Sequence, residues 1–182
     1  MEEAGRPYER VLVDIKSGAQ SEAAYRAINP MMKVPALTDG AVKVAESGAL
    51  CAYVAESVPE AGLAPAIGDA SRGDYLRWMF FSGNCVEGAF LEKFANITIP
   101  TSTAGWGSAD RVADVLEQAV SKGTWLLGER FSAADIMIGS DLYFGVDVFK
   151  IIEPRPAFAA YIERCTARSA FKRAQEIEAA GI

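Results

Sequence analysis

The tract Pro59 to Ser71, PEAGLAPAIGDAS, divides the chain into two unlike halves. Its density of proline, glycine and alanine marks a connection between folding units. Ahead of it strand and helix signals alternate; beyond it the strand signals stop. A chain built this way folds as a small mixed unit followed by helices, an α+β arrangement. We expect residues 1–58 to form the first domain, 59–70 the linker and 71–182 an all-helical domain.

Within the first half, Met1 to Ala4 reads as the last turn of a helix, with Gly5 as a left-handed cap and Pro7 as the stop. Tyr8 to Asp14, YERVLVD, alternates as a strand, and a short helix follows from about Ser21 to Ile28, closed by Asn29-Pro30. ALTDGAVKVA then forms a hairpin around Asp39-Gly40. ESGALCAYVAES begins a helix with Leu50, Tyr53 and Val54 spaced for burial.

In the second half, RGDYLRWMFFSGNCVEGAFLEKFA is long, apolar and helical in period, and SADRVADVLEQAVSKG is a cleaner amphipathic helix. At FSAADI, Ser132 and Asp135 form a capping box, with Phe131 and Ile136 where a hydrophobic staple would close. Two further helices are expected near Pro156 to Ala167 and Ser169 to Ala179.

Composition narrows the chemistry. With no histidine, Ser-His and Cys-His nucleophile pairs, imidazole bases and imidazole metal ligands are all excluded. Cys51, Cys85 and Cys165 are odd in number and outside any CxxC spacing, which suits free thiols in a reducing compartment. A net charge of −6 without a basic block disfavours nucleic acid. No apolar run approaches the roughly 18 to 20 residues that cross a bilayer. The expectation is a soluble cytoplasmic protein with no metal, no nucleic-acid partner and no membrane partner.

NPMMKVPALTDGAVKVAES, residues 29–47, gathers the parts of an anion site that needs neither histidine nor metal. Val34 is held extended by Pro35. A cis bond would turn its amide and carbonyl outward toward a peptide-like ligand, although cis occurs at only about 5–6% of X-Pro bonds. Ser47 opens a helix whose free N–H groups attract a carboxylate, an attraction worth about 0.3–1 kcal/mol when exposed. Lys33 could meet a second carboxylate and Glu46 an amine. Taken singly, Ser47 is an ordinary N-cap and the two charges are ordinary solvated side chains. Taken together they describe a ligand with an amine and a carboxylate at one end, a peptide bond in the middle and a carboxylate at the other, which is glutathione.

NPMMKVPAL, ESGALCAYVAE and GERFSAADIMIGSDL resemble the glutathione S-transferase superfamily over essentially the whole chain. The resemblance implies a thioredoxin-like N-terminal domain, an all-helical C-terminal domain, a homodimer and a cis Val34-Pro35 bond. It also implies a site in which Val34 meets the cysteinyl part of glutathione, Glu46 and Ser47 its γ-glutamyl end, and Lys33 lies near its glycyl carboxylate. The co-substrate would be a hydrophobic electrophile. The Ser132/Asp135 box would be a folding element.

Two departures stand out. Met32 occupies a position where the family often has glycine. Family members also begin with a strand, a loop carrying a sulfur-contacting Ser, Tyr or Cys, and a helix, whereas MEEAGRPYERV resembles the end of that helix. The expectation is an incomplete thioredoxin-like unit with no catalytic residue of its own. A free thiol is only about 3% thiolate at pH 7, and lowering its pKa by about 2 units is worth about 2.7 kcal/mol. Glutathione binding without that help implies impaired transfer. The alternative is a non-catalytic binding or interaction module; an isomerase or dehalogenase would use the same contacts. Trp78, Phe80 and Phe81 are candidates for an apolar co-substrate pocket, or for core or dimer interface.

Overall fold

The computed structural model of the chain describes residues 1–181. A 3-10 turn at Glu2–Ala4 is closed by Gly5 at φ 63°, the left-handed cap expected before Pro7. A second turn at Ala19–Ser21 leads into the single-turn helix α1, Ala23–Arg26. Strands β1, Ala36–Asp39, and β2, Val42–Ala45, pair antiparallel with Ala36 opposite Ala45 and Asp39 opposite Val42. Gly40 supplies the positive φ of 59° that the tight connection requires. Helix α2, Ser47–Ser57, follows and packs on the hairpin.

The expected strand at Tyr8 to Asp14 does not form. Among the described residues the sheet has two strands, β1 and β2, and neither forms a ladder with this segment. Alternation alone cannot make a strand, because its backbone groups need a ladder partner. Without one, Val11 and Leu12 stand 74% and 66% exposed.

Helices α3, Arg72–Phe81, and α4, Glu87–Ala95, are joined by a π turn at Ser82–Val86 into one long rod. Ser108 caps α5, Ala109–Val120, its Oγ accepting the Arg111 N–H at 3.2 Å. Helix α6, Ala133–Leu142, runs into a second π turn, Tyr143–Val148. Helices α7, Pro156–Thr166, and α8, Ser169–Ala179, lie where proline and serine starts place them. The architecture is α+β and mostly helical, with a small antiparallel sheet.

The core forms around α6, which packs against α2, α3 and α7. Ile138 and Leu142 on α6, Tyr75 on α3, Leu116 on α5, and Phe158 and Tyr161 on α7 have no exposure. Gly139 lets α6 approach α7, since a Cβ there would lie 2.7 Å from Cys165 Sγ. The first turn of α6, Ala133, Ala134 and Asp135, is buried, so the N–H groups at this end of the helix have to be satisfied from within. Asp135 does this with no solvent exposure. Its Oδ2 accepts the Ser132 N–H at 2.8 Å and the Ser132 hydroxyl at 2.9 Å, and its Oδ1 accepts the Leu126 N–H at 2.8 Å and the Tyr161 hydroxyl at 2.7 Å. Burial, and next the charge of Asp135, push the Tyr161 hydroxyl well above its ordinary pKa, keeping it a donor. Phe131 at the staple position packs on Trp125, with ring centroids 4.8 Å apart, and under the Arg168 guanidinium, 3.5 Å above its ring.

Two ion pairs fasten the first residues to both halves, a two-nitrogen fork from Arg168 and a single-nitrogen contact from Arg6. Arg168 meets Glu3 at 2.6 and 2.7 Å, and Arg6 meets Asp39 at 3.0 and 2.9 Å. The 59–70 connection is held as well, because Arg130 donates to the Ala64 carbonyl at 2.8 Å and Arg72 to the Pro65 carbonyl at 2.6 Å.

Replacing Asp135 by Ala strands two backbone N–H groups and the hydroxyls of Ser132 and Tyr161 in the core. We expect Asp135→Ala to cost about 3–5 kcal/mol of unfolding free energy in urea titration, and Asp135→Asn, which keeps one acceptor oxygen, to cost less.

Candidate functional site

The loop ahead of β1 is organised by one buried amide. Asn29, 2% exposed, donates from Nδ2 to the Lys33 carbonyl at 2.8 Å, and its Oδ1 accepts the Met31 N–H at 3.0 Å. The Tyr25 hydroxyl donates to the same Lys33 carbonyl at 2.7 Å. That carbonyl is thus held inward twice, while Val34 stands 45% exposed. Among the described residues neither the N–H nor the C=O of Val34 has a hydrogen-bond partner. The Val34-Pro35 peptide is cis. Met32 has φ 56°, which gives a physical reason for glycine at this position: an L side chain is strained there.

Because Ala36 faces Ala45, the hairpin register brings Pro35 and Glu46 to the same end of the sheet, beside the start of α2. Glu46 is itself at φ 71°, a conformation costing a non-glycine residue about 1–3 kcal/mol. No side chain caps the first turn of α2. Lys33, Pro35, Glu46 and Ser47 are all exposed. The end of the hairpin therefore presents an unpaired peptide unit, an open helix N-terminus and one charge of each sign. The sequence reading treated Asn29 only as a helix stop; an Asn-Pro pair before a Val-Pro pair is the signal that it also fixes a loop.

Behind Ser47 lies a cavity of about 480 Å³. Pro35, Leu37, Ser47, Leu50 and Cys51 line it on the hairpin and α2 side, Ile136, Met137, Ser140, Asp141 and Phe144 on the side of α6 and the turn after it, and Met1, Glu3 and Ala4 also bound it. Trp78, Phe80 and Phe81 do not line it. Trp78 is core, its ring 5.3 Å from that of Phe81, and Phe80 points to solvent at 66% exposure.

Burial pushes the Cys51 thiol above its ordinary pKa, so it is not a thiolate at neutral pH. Asp141 is more strongly affected. Burial drives its pKa up to about 7, a hydrogen bond with Ser82 opposes the rise, and the charge of Glu87 adds to it. The residue as a whole is partly accessible, yet its Oδ2 is sealed and has no hydrogen-bond partner. Asp141 was missed in the sequence, where the one available signal is a lone charge in the apolar run IMIGSDLYFGV.

The family profile described as Glutathione S-transferase, N-terminal domain, matches residues 1–56, and that of the C-terminal domain matches residues 99–164. Glutathione S-transferase F9 of Arabidopsis thaliana is 30% identical over 148 residues, covering 74% of this chain and 67% of the relative. The crystal structure of a glutathione transferase from Methylococcus capsulatus superposes with a TM-score of 0.79 at 29% identity, covering 98% of this chain and 90% of the other. A glutathione transferase homologue from Sulfitobacter, with bound glutathione, superposes at 0.76 with 27% identity, covering 96% and 88%. The chain belongs to the glutathione S-transferase superfamily, with that family's thioredoxin-like and helical domains.

Two substitutions test this geometry. Met32→Gly, relieving a left-handed side chain at a position 38% exposed, should leave stability unchanged or raise it by up to about 1 kcal/mol, measured by urea unfolding. Asp141 keeps its proton in the folded state up to about pH 7, but loses it near its ordinary value when unfolded. The folded state therefore binds more protons between those limits, and stability falls as pH rises through them. Asp141→Asn should remove a loss of a few kcal/mol between about pH 4 and 8, seen as the difference between wild-type and variant unfolding curves.

Proposed function

We propose that the chain binds glutathione at the end of the hairpin and serves the addition of its sulfur to a small hydrophobic electrophile. The supporting observation is the unpartnered, exposed Val34 peptide unit beside the uncapped start of α2. Val34 would pair with the cysteinyl backbone of the tripeptide. Pro35 sets the turn, and Glu46 and Ser47 would receive the γ-glutamyl amine and carboxylate. Lys33 would neutralise the glycyl carboxylate. The Sulfitobacter homologue, which has glutathione bound, supports the choice of ligand. With an aryl halide, the glutathione sulfur forms a C–S bond as the C–halogen bond breaks, halide leaves, and the thiol proton passes to solvent.

We further propose that residues 1–182 catalyse this step weakly on their own. Activating a thiol needs a donor or cation that favours its thiolate. Near Val34, the Tyr25 hydroxyl is committed to the Lys33 carbonyl and its pKa is raised by burial; the Cys51 thiol is raised likewise. The same observation favours the second reading, a glutathione-binding or protein-interaction module without chemistry. The remaining proposals are a boundary at 59–70 between domains 1–58 and 71–182, a cytoplasmic location and a homodimer. No helix among the described residues is long and apolar enough to cross a membrane.

Retention on glutathione resin and conjugation to 1-chloro-2,4-dinitrobenzene separate the readings. We expect retention with little conjugation, and weakening of about 2- to 10-fold by Lys33→Ala or Ser47→Ala in competition with free glutathione. Failure to bind the resin at all would sink the glutathione assignment, whereas rapid conjugation would overturn only the claim of weak catalysis.

A further inference from the structure

A trans peptide unit is flat, and its carbonyl and N–H point in opposite directions. The Lys33 carbonyl and the Val34 N–H belong to one such unit, since the cis bond is the next one along, Val34-Pro35. Whatever grips that carbonyl therefore aims that N–H. Two donors grip it, the Tyr25 hydroxyl at 2.7 Å and Asn29 Nδ2 at 2.8 Å, so both lone pairs of the oxygen are used.

The two grips start from different places. Asn29 lies within the loop it holds: its Oδ1 accepts the Met31 N–H and its carbonyl accepts the Met32 N–H, each at 3.0 Å. These bonds fix the internal shape of the loop and travel with it. Tyr25 stands outside the loop, on α1. That helix is a single turn, too short to hold itself in place, and it is tied to the sheet where Lys43 Nζ on β2 donates to the Ala27 carbonyl at 2.9 Å. Strand β2 in turn runs into Glu46 and the first turn of α2. The Tyr25 hydroxyl is thus the link that refers the Val34 N–H to the strand leading to Ser47. Burial raises its pKa, so it remains a donor at neutral pH.

We propose that Tyr25 is a positioning residue for a ligand that carries a peptide bond: without touching the ligand, its hydroxyl sets the direction of the Val34 N–H relative to the start of α2. The inference rests on the glutathione reading above and adds to it a residue outside the contacts assigned there. A ligand as short as a tripeptide meets the Val34 edge and the helix start together only if the two are held in register. With the hydroxyl removed, Asn29 still turns the Lys33 carbonyl inward, but the loop loses its fixed bearing on α1.

The test is calorimetric titration of glutathione into wild type, Tyr25→Phe and Tyr53→Phe, with urea unfolding of all three. The control, Tyr53, also donates one hydroxyl hydrogen bond, to Asp39 at 3.0 Å at the turn end of the same hairpin. Tyr25→Phe should bind glutathione about 3- to 10-fold more weakly, and Tyr53→Phe should keep wild-type affinity. Titrations are run far below the unfolding midpoint, where each variant is folded and a loss of stability alone does not change the dissociation constant. The proposal alone is overturned if wild type binds and Tyr25→Phe binds equally well, or if Tyr53→Phe is weakened as much. If wild type binds no glutathione, the ligand assignment itself has failed and this proposal falls with it.

Discussion

The Asp135 carboxylate lies out of solvent at the point where α6, the segment at Leu126 and α7 converge, and the helical half is arranged around it. An ion in such a place persists only when its lone pairs are filled; here two backbone N–H groups and two hydroxyls fill them. With the first turn of α6 so fixed, Gly139 sets the approach to α7, and Ile138 and Leu142 lock the axis in the core. The side chains facing the hairpin then follow from helical geometry. Ile136, Met137, Ser140 and Asp141 line the cavity because the start of their helix cannot turn.

The smaller half uses the same economy with a neutral group. Asn29 is buried and satisfied, and by holding the Lys33 carbonyl inward it leaves the next peptide unit facing solvent. Asp135 and Asn29 spend their polar capacity inside the protein, and both shape structure. Val34 and Asp141 do not. Val34 keeps its unmet groups at the surface and Asp141 keeps an unmet oxygen sealed inside the protein, and backbone strain at Met32 and Glu46 gathers next to Val34. Polar groups left incomplete at the surface of an otherwise satisfied fold are where recognition chemistry belongs.

Features set by local chemistry were legible in the chain. Gly5, the Asp39-Gly40 turn, Ser108, Ser132 and Pro156 all mark element ends where the structure has them. Features that depend on a distant partner were not. Tyr8 to Asp14 alternates correctly but finds no strand to join, and the packing of Phe131 on Trp125 and Arg168 could not be read from local spacing. The motif residues Lys33 to Ser47 could be located in the chain, while the loop mechanism that exposes Val34 depends on a side chain, Asn29, that reads locally as punctuation. Asp141 looked like one more polar residue, because nothing in a sequence tells whether a mid-helix carboxyl meets water or a cavity.

The ion pairs at Glu3 and Arg6 have a mechanical meaning. The bidentate Arg168–Glu3 contact resists rotation as well as separation, while Arg6 holds both Asp39 oxygens through one nitrogen. The stretch from Glu3 to Arg6 is only a few residues long and interrupted by one tight turn, so it has little slack. Arg168 ties its start to the α7–α8 junction, and Arg6 ties its end to the hairpin turn through Asp39, which the Tyr53 hydroxyl also holds at 3.0 Å. The segment is thus a short bridge anchored at both ends, linking the last helices of the bundle to the hairpin with only one tight turn of chain between the anchors.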